Sequence, residues 1–154
     1  MTRTTNMKKL LLPVLLAGLT GCVMPTKQAP PNEVKDVPAE RRFEIGEQAS
    51  PTGTITITRD VGFIGSGCYL GVMIDGAMAA HLDPAERLTV DLSEGRHVLT
   101  ATPVQGRGLC GALQTEKTNA ARRRSTEVFV RPGAVQTYRL YTAAEEFPVI
   151  EPSF

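Results

Sequence analysis

The stretch that decides the fold is YLGVMIDGAMAAHLDPAERLTVDLSEGRHVLTAT, residues 69–102. Within it, Leu88-Thr89-Val90-Asp91-Leu92 alternates apolar and polar residues, which puts Leu88, Val90 and Leu92 on one face of a strand. The runs Tyr69 to Asp75 and Ala77 to Leu82 meet at Asp75-Gly76, a dipeptide that tolerates the positive φ values of a two-residue hairpin turn. Ser93-Glu94-Gly95 is a second turn, and Arg96 to Thr102 is the strand that returns from it. Outward from this block the same period continues. Thr54 to Arg59 (TITITR) lies upstream; Thr126 to Arg131 (TEVFVR), the turn Pro132-Gly133, and Gln136 to Thr142 (QTYRLYT) lie downstream. No long helical period competes. About seven short strands joined by Gly, Asp and Pro turns predict an all-β, antiparallel sandwich over residues 52–154. Phe147-Pro148-Val149-Ile150 is expected to add an edge strand or dock on the sandwich, with Pro152 keeping any strand short.

The chain has 154 residues, with 17 basic and 16 acidic side chains, 42% hydrophobic and 5% aromatic. That balance excludes a strongly basic nucleic-acid binder, and the apolar content excludes a wholly disordered chain. A single apolar segment excludes a multi-span transporter. This segment, Leu10 to Leu19, follows Met7-Lys8-Lys9 and is half the length needed to span a bilayer as a helix, so it reads as the core of a secretory signal, with Met7 the better start.

Leu19-Thr20-Gly21-Cys22 resembles the lipobox of bacterial lipoproteins. The resemblance implies that residues 1–21 are removed, that the Cys22 sulfur takes a diacylglycerol thioether, and that the new amine is acylated. Two or three acyl chains anchor a protein stably where a single chain does not. Val23, where inner-membrane lipoproteins carry Asp, implies the outer membrane of a two-membrane envelope. Loss of Arg3, Lys8 and Lys9 leaves 14 basic against 16 acidic groups, a net charge of −2. Residues 22–51, with Pro25, Pro30, Pro31, Pro38 and Pro51 among polar residues, are expected to form an extended tether that holds the domain some tens of ångströms from the bilayer. A short helix is allowed near Pro38 to Phe43.

The order Val72-Met73-Ile74-Asp75-Gly76, Leu82, Leu88-Thr89-Val90-Asp91-Leu92 and Glu94-Gly95-Arg96-His97-Val98-Leu99 resembles the repeat of the PEGA surface domain and of related bacterial lipoproteins of unknown function. The likeness is tight over 72–99 and loose over 54–142. It implies an immunoglobulin-like or transthyretin-like sandwich in an envelope setting and carries over no catalytic residue. Two departures are the missing Pro before Glu94 and the long insert at 103–125.

With Cys22 assigned to lipid, Cys68 and Cys110 form an even pair in an oxidising compartment. The up-down order of the strands brings Cys68 and the loop after Thr102 to one end, and glycines beside both cysteines let the backbones approach. A disulfide is expected there, two buried free thiols being the alternative. Closing that loop of 43 residues is worth on the order of 4 kcal/mol by chain entropy.

Other reactive-looking features are bland. Gly62-Phe63-Ile64-Gly65-Ser66-Gly67 precedes a strand rather than a helix and lacks the P-loop Lys, so it is no phosphate loop, and Ser66 sits in no nucleophile elbow. His81 and His97 have no zinc-like spacing with the cysteines, so no metal and no cofactor is expected. His97 reads as a half-buried strand residue and Asp75 as a turn residue. Arg122, Arg123 and Arg124, with Lys117, are candidate anion contacts, or else a solvated, protease-sensitive part of the insert. These readings converge on a lipid-anchored envelope protein whose sandwich is a non-catalytic binding or assembly module, partnered by the membrane and an envelope protein but not by nucleic acid. The rivals are an envelope hydrolase or isomerase using His97 with a carboxylate, and a phage- or plasmid-borne surface exclusion lipoprotein.

Overall fold

The computed structural model describes residues 26–46, 50–62, 67–104, 115–143 and 148–154. Among them nine strands form two sheets that face each other as an all-β sandwich. The strands are β1 (Lys35–Asp36), β2 (Pro51–Arg59), β3 (Leu70–Ile74), β4 (Ala77–Leu82), β5 (Glu86–Ser93), β6 (Gly95–Pro103), β7 (Arg124–Val130), β8 (Val135–Thr142) and β9 (Pro148–Pro152), with one short helix, α1 (Glu116–Ala121). One sheet has the order β1-β5-β2-β8-β9 and the other β4-β3-β6-β7.

Side-chain alternation accounts for the core. Ile55 and Ile57 of β2, Leu88 and Leu92 of β5, and Leu140 of β8 point inward from the first sheet; Val72 and Ile74 of β3, Leu82 of β4 and Leu99 of β6 meet them from the second. The hairpin at Asp75-Gly76 forms as its sequence requires, with φ of 50° and 85° at the two turn residues. Gly53 has a different reason to be Gly. A Cβ there would lie 2.5 Å from Val130 Cγ1 and 2.8 Å from the Arg131 carbonyl oxygen, because β2 runs close under the turn that joins β7 to β8.

All seven anticipated strands are present as β2 to β8, and β9 realises the docked C-terminal segment with Pro148 and Pro152 at its two ends. Two pairings depart from the expected antiparallel order: β2 pairs β8 in parallel, and β1 pairs β5 in parallel. The first arises because the chain leaves the four-stranded sheet after β7 and re-enters the other sheet beside β2 at the end where β2 begins.

The extended tether expected over residues 22–51 is not what the structure shows for 26–46. Lys27 pairs with Val61, β1 extends the edge of β5, and Val37, 3% exposed, joins the core. A 3-10 turn at Ala39–Arg41 follows Pro38, and the Phe43 N–H donates to the Ala79 carbonyl at the edge of β4. The segment is therefore a strap that ties the free edge of one sheet to the free edge of the other. Arg41 fixes it with a bidentate ion pair to Glu86 (2.6 and 2.7 Å).

The sandwich has two distinguishable ends. The Asp75 end carries the tight turns 75–76, 93–95 and 131–134. The Asp83 end carries Thr26, Val61, Cys68, the 83–85 turn, the exit of β6 and the entry to β7. Arg59, inward by the same parity as Ile55 and Ile57, closes the core at that end. Its guanidinium donates to the carbonyls of Cys68 (2.7 Å) and Leu82, and burial lowers its pKa to about 10.

Candidate functional site

His97 and Asp75 are 22 residues apart in sequence and in contact in space. His97 reaches the core side of β6 because it shares parity with Leu99, and its side chain is 8% exposed. Nε2–H donates to the Ser93 carbonyl (2.9 Å), and Nδ1 lies 2.6 Å from Asp75 Oδ2, with one proton held between them. The other Asp75 oxygen accepts from the Val98 N–H (2.8 Å). Both ring nitrogens are engaged, so the group acts as a clamp between the 75–76 and 93–95 turns. Asp75 thus does more than the turn role read from its D-G dipeptide: it is the carboxylate partner of His97 that strand reading alone did not reveal.

His81 occupies the outer side of β4, where Phe43 of the strap packs edge-on to its ring (4.9 Å between centroids) and Tyr69 stacks at 6.4 Å. Arg41 lies 4.8 Å over the Tyr69 ring and donates to the His81 carbonyl (3.1 Å). Burial, and secondarily the Arg41 charge, lower the His81 pKa below its usual value. A cleft of about 310 Å³ opens on the outer face of the five-stranded sheet, between the strap at Gln28, Pro31 and Val34 and the side chains of Thr56, Thr58, Arg87 and Arg139. Arg139 there is ion-paired to the buried Asp60, and that hydrogen bond raises its pKa. The cleft offers hydroxyls and charged hydrogen-bonding groups.

The cysteine and arginine assignments divide. Cys22 and Cys110 lie outside the described residues, as does the Phe63 to Ser66 part of the glycine-rich run. Cys68 lies two residues before β3, and Leu70 stands opposite Pro103 in the β3–β6 ladder, so the chain enters β3 and leaves β6 at the same end. Arg122 to Arg124 are not a plain loop. Arg122 caps α1, Arg123 pairs with Glu116 at 2.7 Å, and Arg124 opens β7. Thr115 caps the helix with a reciprocal bond to Thr118, a short signal placed in what reads as an insert.

Among the described residues there is no group of three or more His, Cys, Asp or Glu side chains that could hold a metal ion, and no helix is long and apolar enough to cross a membrane. No protein-family model and no curated protein matches this chain. What fold and side chains define together is an all-β sandwich with a wrapped N-terminal strap and a clamp between the buried His97 and the exposed Asp75.

Proposed function

We propose that this is a lipid-anchored cell-envelope protein whose sandwich serves as a non-catalytic binding or assembly module. The observation that carries the reading is Leu19-Thr20-Gly21-Cys22 at the end of a short cationic-apolar signal. The non-catalytic half is supported by His97: its nitrogens are both spent on Ser93 and Asp75, leaving neither to take a proton from a substrate. A disulfide between Cys68 and Cys110 belongs to the same reading. Its support is the shared end of β3 and β6, which places Cys68 where the chain leaves β6.

The test is metabolic labelling with fatty acid followed by flotation of membranes. The wild-type chain takes up label and floats; Cys22→Ala takes up no label and is either soluble or left unprocessed. Label that persists in Cys22→Ala overturns the assignment.

A further inference from the structure

We propose that the Asp83 end of the sandwich rests directly on the anionic surface of the bilayer that holds the anchor, with the Asp75 end pointing away. The inference builds on the lipid-anchor reading above and adds an orientation to it.

Chain length is the first argument. Thr26 is already fixed to the sandwich, since the neighbouring Lys27 exchanges two backbone hydrogen bonds with Val61 (2.8 and 2.9 Å) and a Cβ on Gly62 would lie 2.9 Å from Thr26 Cα. Four residue steps separate Cys22 from Thr26, and even fully extended these reach about 14 Å. A lipidated Cys22 therefore cannot stand far from the Asp83 end. The β5 strand alone, eight residues long, spans about 27 Å from one end to the other. Standing the domain on its Asp75 end would carry Thr26 beyond that reach, so the leash excludes the inverted orientation, and the charge at the Asp83 end selects the upright one over a domain lying on its side.

Charge is the second argument, and it is independent. The Asp83 end includes α1 and the entry to β7, and from Glu116 to Arg124 the chain carries Lys117, Arg122, Arg123 and Arg124 against the single carboxylate of Glu116. Lys27 and Lys35 lie at the same end, and Glu33, Asp83 and Glu86 are the opposing charges around the neighbouring turn, Glu86 being paired with Arg41. Cations held near a headgroup layer are drawn to it over roughly a Debye length, about 8 Å at physiological salt, so a short leash is the condition under which they count. The corner formed by α1 and the entry to β7 is thereby the cationic, membrane-facing part of that end.

The test uses the acylated full-length mature protein in vesicles of phosphatidylethanolamine and phosphatidylglycerol containing a headgroup spin label. A fluorophore is placed on Ala120→Cys, exposed on α1, or on Glu94→Cys, exposed in the turn at the far end. Quenching several-fold stronger at residue 120 than at residue 94 is expected. Equal quenching, or stronger quenching at 94, in protein that is acylated and floats overturns the orientation alone. A chain that is neither acylated nor floating overturns the anchor and the orientation together. Lys117→Glu combined with Arg124→Glu should reduce quenching at 120; no change overturns the electrostatic part.

Discussion

Replacing Val37 by Ala separates a strap from a tether. Val37 is 3% exposed and packs with the core, while its N–H donates to the Arg87 carbonyl (2.9 Å). Ala keeps that backbone bond and removes two buried methyl groups. At about 0.8 kcal/mol for each group, plus a cavity contribution where the strap does not collapse, the loss is about 2 kcal/mol. With a urea slope near 2 kcal/mol/M, the unfolding midpoint should fall by about 1 M with the slope unchanged. Lys35→Ala, exposed on the same strap, is the control and should stay within about 0.5 kcal/mol of wild type. If Val37→Ala unfolds at the wild-type midpoint, residues 26–46 do not contribute to the core and the strap is wrong. A lowered slope would mean instead that the strap detaches before the sandwich unfolds.

Gly53→Ala should lose about 1–3 kcal/mol, because the new Cβ meets the Arg131 carbonyl and only a backbone shift relieves the contact; thermal unfolding checks it. Asp75→Asn keeps a residue suited to the hairpin turn but removes the carboxylate facing His97, and should cost about 1 kcal/mol without altering the fold by circular dichroism. For His81, the folded pKa lies below the unfolded one, so the unfolded chain binds the proton more readily. Stability is then fully present above about pH 6.5 and falls as the pH drops below it, and urea midpoints at pH 7.5 and 5.5 should differ less in His81→Gln than in wild type. Reduction of the purified protein should lower the thermal midpoint and release two alkylatable thiols, and free thiols before reduction would remove the Cys68–Cys110 pairing.

The seven central strands were legible because most carry a period-two pattern, while β3 and β4, which do not alternate, are apolar runs joined by the Asp75-Gly76 turn. Ala77–Leu82 appears with its anticipated bounds, and the others shift by three residues at most. The strap was not legible for a physical reason. Its order comes from backbone pairing at two sheet edges and from one buried valine, neither of which alters a composition rich in Pro and charged residues. The parallel β2–β8 pairing was equally hidden, since alternation specifies which face is buried but not which neighbour lies alongside. At the clamp, His97 was visible and Asp75 was visible, but their meeting depends on β3 and β6 being adjacent, a long-range fact. Arg122 to Arg124 read as a loop because α1 is a six-residue helix, too short to leave an apolar period.

The anchor is tested most directly by the mass of the N-terminal peptide from protein extracted from membranes. A peptide that begins at Cys22 and carries a diacylglyceryl group, with or without a further acyl chain on its amine, is the predicted result. A mature chain that begins elsewhere, or an unmodified Cys22 thiol, would contradict it.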